Sequence, residues 1–210
     1  QIDYYFMKGK TMDAVVANYR LLTGNSPMMP LYLFGYIQSK ERYVSSDDLI
    51  NTLKEYRQSQ IPIYMIVQHW NYWPEGQWGD MSMNPKFYPD KRKLADEIHS
   101  LHVKLMISIW PNAMNCPQHE EFKRKGWLLS GTSVYDAFNP LARKLYWNYA
   151  NNEFFGNGFD AWWCDASEPL DADWTFMKDG YGADNHRQRW ELNTNLLNSV
   201  LGAERSQLYS

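Results

Sequence analysis

Asp160-Ala-Trp-Trp-Cys-Asp165-Ala-Ser-Glu168 is the stretch that decides the fold. An apolar, aromatic run enters it from Gly158-Phe159 and stops on a carboxylate. A second carboxylate follows three residues later, just before Pro169. The pattern predicts a short buried strand whose C-terminal end presents Asp165 in a cleft. In parallel α/β folds ligands bind at the carboxyl ends of the strands. Trp162 and Trp163 would wall that carboxylate. Aromatic faces stack on sugar C–H groups, and a fixed Asp can attack or stabilise an anomeric carbon.

Upstream, strand and helix patterns alternate. Residues 4–6 read as a strand. Thr11 then caps a helix with Met12, Val15, Val16, Tyr19 and Leu22 on one face, closed by Gly24. Leu31 to Ile37 is apolar, aromatic and strand-like. Ser45-x-x-Asp48 is a capping box, followed by a helical stripe of Leu49, Ile50, Leu53 and Tyr56. Ile61 to Val67 is a continuous apolar run, hence a buried strand. A long aromatic loop runs from Gln68 to about Pro89, and Asp90 caps a helix carrying Leu94, Ile98 and Leu101. Val103 to Ile109 is the next strand, ending on Trp110-Pro111-Asn112. Asn139-Pro140 starts a helix with Pro at its first position and Leu141, Leu145, Tyr146 and Tyr149 facing inward. Gly158 to Cys164 is the fourth core strand, and a last helix is expected over about 186–201.

Four strand–helix units in series, with long loops after the strands, predict a parallel α/β architecture. Periodicity alone leaves a small doubly wound sheet and half of an eight-fold barrel both open. Loop length leans to the barrel, whose site is assembled from the loops after its strands. No Gly-rich phosphate loop follows any strand, so nucleotide binding has no local support.

Composition narrows the function classes. The 210 residues include 10 Trp, 15 Tyr and 9 Phe. Some of these aromatics must build the core, and those near strand ends suit carbohydrate. The net charge is −3 with both signs scattered, and no basic stripe invites nucleic acid. No apolar run reaches the length of a membrane span. Cys116 and Cys164 are far apart without metal-ligand spacing, and Cys164 reads as a small buried residue. His99, His102, His119 and His186 show no metal spacing either, so no metal is expected. Gln1-Ile-Asp-Tyr-Tyr-Phe reads as mid-strand, which suggests a chain cut from a longer one.

The ordered motifs resemble glycoside hydrolase family 31, most closely its α-xylosidase and α-glucosidase-like members. They are Phe34-Gly35-Tyr36, Ile61-Pro-Ile-Tyr-Met-Ile-Val-Gln-His-Trp-Asn-Tyr-Trp73, Gly79-Asp80, Phe87-Tyr-Pro-Asp90, Met106-Ile-Ser-Ile-Trp-Pro111 and Trp163-Cys-Asp165-Ala-Ser-Glu168. The resemblance implies a (β/α)8 TIM barrel, of which this chain supplies the first four β/α units. Residues 1–28 would be an exit strand, helix and linker from an N-terminal β-sandwich, and residues 29–210 the N-terminal half of the catalytic barrel.

It also implies retaining hydrolysis of α-glycosides in an oligosaccharide or small glycoside, with no cofactor. Asp165 falls on the family's nucleophile, and Glu168 on a neighbouring carboxylate that positions it and tunes its charge. Trp110 matches a pocket-shaping Trp, with Trp163 beside the nucleophile. His69 and Asn71 lie after the second strand, where relatives carry a carboxylate that grips a sugar hydroxyl. Close family members read Gln-Asp-Trp where this chain has Gln68-His69-Trp70, which puts ordinary specificity in question.

The family's acid/base follows the sixth barrel strand, beyond residue 210, so the 210 residues alone are expected to be inactive. They are also expected to self-associate through open sheet edges. The rival reading is a non-catalytic carbohydrate-binding homologue. Asp80 either contacts sugar or braces its loop, Asp136 reads as helix-entry architecture, and Asp171 and Asp173 as solvated charge. Family members occur in several compartments. An extracytoplasmic site is slightly favoured.

Overall fold

The computed structural model describes residues 4–129 and 132–166. The chain divides into two units, residues 1–34 and 35–210. In the first, helix α1 (Met12–Thr23) starts where expected, with the Thr11 hydroxyl accepting the Ala14 N–H at 3.2 Å. The residues expected on its apolar face, Met12, Val15, Val16, Tyr19 and Leu22, are all exposed, and no residue of the helix is buried. Residues 4–6 are not a strand, because no neighbouring strand meets their backbone among the described residues. The expected strand from Leu31 is likewise replaced at its start. The Pro30 carbonyl accepts the Leu33 N–H at 3.0 Å and winds Leu31–Phe34 into a 3-10 turn.

The second unit is built on four parallel strands: β1 (Ile37–Gln38), β2 (Met65–Gln68), β3 (Lys104–Ile109) and β4 (Ala161–Cys164). Their spatial order is their chain order, β1-β2-β3-β4. A doubly wound sheet reverses direction at a switch point. This sheet adds each strand on the same side, as a (β/α)8 barrel does, so the ambiguity left by periodicity is settled for the barrel. The strands are shorter than their apolar runs. Ile61 and Tyr64 are exposed, and the ladder with β1 and β3 begins only at Met65.

Between the strands lie α2 (Ser46–Gln58), α3 (Lys91–Ser100), α4 (Pro117–Lys125) and α5 (Pro140–Glu153). Three caps are those the sequence announces. Ser45 accepts the Asp48 N–H at 3.1 Å, Asp90 the Lys93 N–H at 2.8 Å, and Asn139 the Leu141 N–H at 2.9 Å. The Asp48 carboxylate reaches back to the Val44 N–H at 3.0 Å. A cap is worth about 1 kcal/mol, whereas fully burying a large aliphatic side chain is worth about 1.5–3 kcal/mol. Leu49, Leu53, Ile98, Leu105 and Ile107 are all wholly buried, so packing, not capping, fixes the helices on the sheet. Arg57 adds a polar tie by donating to the Leu101 carbonyl at 2.8 Å and the Ile63 carbonyl at 3.1 Å.

Helix α4 is not anticipated by apolar periodicity, since only Gln118 and Phe122 of its nine residues are buried. Its signals are punctuation: Pro117 at the first turn and Gly126, at φ 68°, just past its end. In α5 the inward stripe is Ala142, Tyr146, Tyr149 and Ala150, while Leu141, expected inside, is 57% exposed. The expected helix over 186–201 lies outside the described residues. Among the described residues no helix is long and apolar enough to cross a membrane.

Candidate active site

Strand β4 places Asp165 one residue past its last paired position. The Asp165 N–H donates to the Ile109 carbonyl at 3.0 Å, which keeps the residue in line with the sheet. Ala166, at φ 54°, then turns the chain, and its N–H donates to Asp165 Oδ1 at 2.8 Å. The Asp165 side chain is 40% exposed. Alternation along the strand puts Trp163 on the same face as Asp165. Trp162 points to the other face and packs on Trp147 and Phe154 at ring separations of 5.8 and 6.2 Å. Of the two tryptophans expected to wall the carboxylate, only Trp163 lies on its face of the strand. Cys164, expected inside, is exposed.

His69 follows the last residue of β2 and joins the cluster together. Its ring lies 5.4 Å from Trp163 and 6.2 Å from Trp110, and its Nε2 is 3.8 Å from Asp165 Oδ2. Its Nδ1 is 3.0 Å from the Glu41 carbonyl oxygen. A carbonyl can only accept, so Nδ1 carries the hydrogen, and in the neutral ring Nε2 is a bare acceptor facing a carboxylate. At 3.8 Å the two do not hydrogen-bond. A sugar hydroxyl approaching the pair could donate its one hydrogen to Nε2 or to the carboxylate, not to both. Below His69, Gln68 is wholly buried and its amide donates to the Tyr43 carbonyl at 3.2 Å, fixing the end of β2.

Trp110 closes the end of β3. Only 3% of it is exposed. It packs edge-on to Trp73 at 5.3 Å and Trp78 at 5.9 Å, while the Tyr146 hydroxyl donates to its carbonyl at 2.8 Å. Its indole N–H is buried without a hydrogen-bond partner among the described residues. Leaving such a group unpaired costs about 1–3 kcal/mol. Trp70, Trp73 and Trp78 form the aromatic packing of the β2–α3 loop against Trp110 and the core.

Asp80 is 2% exposed. Burial pushes its carboxyl up from the usual range, against the hydrogen bond from Ser82, with Glu153 adding to the rise. It braces its loop. Asp136 accepts the Phe138 N–H at 3.0 Å at the entry to α5, as expected.

The structure therefore brings together Asp165, His69, Trp163 and Trp110. Asn71, at φ 59°, lines a separate groove with Arg42 and Trp73, a groove whose lining does not include Asp165. Glu168, Asp171 and Asp173 lie outside the described residues. Sequence reasoning did not find the Glu41 carbonyl or the Tyr146 hydroxyl. The Glu41 carbonyl is backbone and carries no residue signature, and Tyr146 has the spacing of an ordinary helix-stripe tyrosine. No group of three or more potential metal ligands occurs among the described residues.

Residues 26–206 match the glycosyl hydrolases family 31 TIM-barrel domain. The chain belongs to glycoside hydrolase family 31. Its similarity to the α-xylosidase of Saccharolobus solfataricus is 38% identity over 170 residues, 80% of this chain and 23% of that protein. With α-xylosidase A of Aspergillus niger it is 25% over 185 residues, 80% of this chain and 25% of that one. Among solved family 31 structures, the α-xylosidase of Xanthomonas citri superposes with a TM-score of 0.72 at 34% identity, covering 83% of this chain and 21% of that one. A soil-metagenome family 31 α-xylosidase complexed with xylose superposes with a TM-score of 0.65 at 32% identity, covering 71% and 24%. The chain thus spans about a quarter of the length of these family 31 relatives.

Proposed function

We propose that the protein carrying this chain is a retaining α-glycosidase that removes terminal α-xylosyl or α-glucosyl units, with Asp165 as nucleophile. One observation carries the reading. In a family 31 sheet, a half-exposed carboxylate stands at the C-terminal tip of β4, beside His69 and on the face that bears Trp163. Asp165 would attack the anomeric carbon and form a covalent glycosyl-enzyme, which water then releases. His69 Nε2 would accept from a sugar hydroxyl and Trp110 would shape the pocket, while Trp163 supplies an aromatic wall. Glu168 would position and charge-tune the nucleophile.

A retaining pair needs a second carboxyl about 5–5.5 Å from the first. Among the described residues, the groups that meet the Asp165 carboxylate are the His69 ring and the Ala166 N–H. Neither is a carboxyl. On the family's pattern the acid/base would follow the sixth barrel strand, outside residues 1–210, and these residues alone are expected to be inactive. The two parts of the chain, 1–28 and 29–210, are assigned respectively to the exit from a preceding β-sandwich and to the first half of the barrel.

The test is an activated fluoro-sugar incubated with the full-length protein, followed by peptide mapping. The tag is expected on Asp165, and Asp165→Asn is expected to lower kcat by roughly 10⁴-fold or more. A tag on any other residue overturns the assignment. His69, at a position where the family resemblance leads one to expect Asp, supports a second reading, a carbohydrate-binding homologue without turnover. Saturable sugar binding with no labelling and no hydrolysis would select it.

A further inference from the structure

The two oxygens of Asp165 are not equivalent. Oδ1 accepts the Ala166 N–H at 2.8 Å, whereas Oδ2 faces His69 Nε2 at 3.8 Å. A carboxylate oxygen already held by a backbone donor has a lone pair committed to it. Oδ2 is therefore the oxygen left free to attack a sugar C1, and it is the one that His69 faces.

The imidazole is fixed on its other sides. Its Nδ1 donates to the Glu41 carbonyl at 3.0 Å, and the rings of Trp163 and Trp110 flank it at 5.4 and 6.2 Å. With Nδ1 keeping its hydrogen, a proton taken up from solvent goes to Nε2. The neutral ring turns a lone pair toward Oδ2 and makes no bond to it. The charged ring turns an N–H and a positive charge toward the same oxygen. A charge-assisted pair of this kind closes to about 2.7–2.9 Å, an approach of about 1 Å from the present separation. The Asp165 side chain, 40% exposed, has the room for that movement.

The neighbouring charges leave this pair to itself. From the loop after β1, Glu41 meets the ring through its backbone, Lys40 is taken by Asp48 at 3.2 Å, and Arg42 lines the separate groove with Asn71. From β3 and its following loop the ring meets Trp110, which carries no charge. From β4 it meets Trp163 and Asp165. Glu168 lies outside the described residues. An Asp at position 69, as the family resemblance leads one to expect, would repel Asp165 wherever both are ionised. A histidine there can instead be switched from a passive acceptor to an ion-pair partner.

We propose that His69 is a positioning residue that makes the site responsive to pH: neutral, it leaves Asp165 Oδ2 free and accepts a sugar hydroxyl, and protonated, it pins that oxygen in an ion pair. The inference rests on the reading of Asp165 as nucleophile. The pinned form carries one more proton than the free form, so it accumulates as pH falls and activity is lost on the acid side.

Two measurements on the full-length protein test it. Crystals grown at about pH 5 and about pH 8, values that bracket the ordinary imidazole range, give the separation directly. Nε2 and Oδ2 are expected about 2.8 Å apart in acid and more than about 3.5 Å apart in base. In kinetics, kcat/KM for an aryl α-xyloside or aryl α-glucoside is expected to fall about tenfold or more between about pH 7 and about pH 5. In His69→Gln, whose side chain accepts a hydroxyl but takes no charge, the fall is expected to shrink to about twofold or less, whatever the absolute rate, because an ordinary carboxyl stays largely ionised down to about pH 5. An equal separation in both crystals overturns the proposal, and so does an undiminished acid fall in His69→Gln. Failure of the nucleophile reading shows elsewhere, in a fluoro-sugar tag away from Asp165, while the crystal separations report on the pair without any turnover.

Discussion

Gly79 shows how tightly one residue can hold the site's surroundings. It sits at φ 68°, and a Cβ built there would lie 2.2 Å from the Asn112 carbonyl oxygen, a backbone atom that cannot swing aside. The carbonyl of its neighbour Trp78 accepts the Met114 N–H at 2.8 Å, so the loops after β2 and β3 are joined at this point. Gly79→Ala combines a disfavoured backbone conformation with a backbone clash. It is expected to lower stability by about 3 kcal/mol. Urea unfolding of the full-length protein checks this, and a loss under about 0.5 kcal/mol, the range of an ordinary surface substitution, would show that the two loops are not locked together. At this scale the sequence is partly legible. Asp165 stands out because an apolar strand ending on a carboxylate is a local pattern. The orientation of His69 does not, because it depends on the carbonyl of Glu41, 28 residues away in the chain. Trp162 is a case where composition misleads, because alternation sends it to the opposite face from Asp165.

At the scale of elements, caps are legible and strand limits are not. Thr11, Ser45, Asp90 and Asn139 act on N–H groups two or three residues away, so their signature is complete in the local sequence. A strand's length depends on where its neighbour runs, which is why Ile61 to Val67 shrinks to Met65–Gln68. The entry to β4 illustrates the same dependence. Asp160 accepts from the Leu105 N–H at 2.9 Å, from Lys104 at 2.8 Å and from His99 at 2.7 Å, which ties α3, β3 and β4 at the end of the sheet opposite Asp165. Burial alone would raise its carboxyl. The Leu105 N–H, then Lys104 and His99, hold it below the usual range instead.

A depressed carboxyl stabilises the fold above its unfolded pKa, and that contribution disappears as pH falls through the lower folded value. Asp160→Asn is therefore expected to cost about 2 kcal/mol at neutral pH, in line with a hydrogen-bonded, partly buried charge. The gap from the parent should close below about pH 4. Thermal unfolding of both proteins from about pH 7 down to about pH 3, a range that brackets the ordinary carboxyl pKa, measures it. A gap that persists unchanged at the acid end would rule out the charge as its source.

For the whole molecule, the decisive feature is a sheet that grows in one direction and does not meet itself among the described residues. β1 and β4 each have one hydrogen-bonded neighbour there, on the inner side of the order β1-β2-β3-β4. An open strand edge is a template for pairing with another chain. Large apolar side chains lie exposed near the β4 side: Trp163 at 43%, Trp147 at 48% and Phe155 at 55%. In a closed barrel the fourth strand would be covered by a fifth. A polypeptide of these 210 residues alone is therefore expected to associate with itself through β4, in a concentration-dependent way. Size-exclusion chromatography with light scattering should give a mass above the 24.9 kDa of one chain. Trp163→Lys places a charge beside the edge and is expected to shift the distribution toward monomer, since charged edges oppose strand pairing. A single 24.9 kDa species at high concentration, before any substitution, would mean that the β4 edge is already covered within the chain itself.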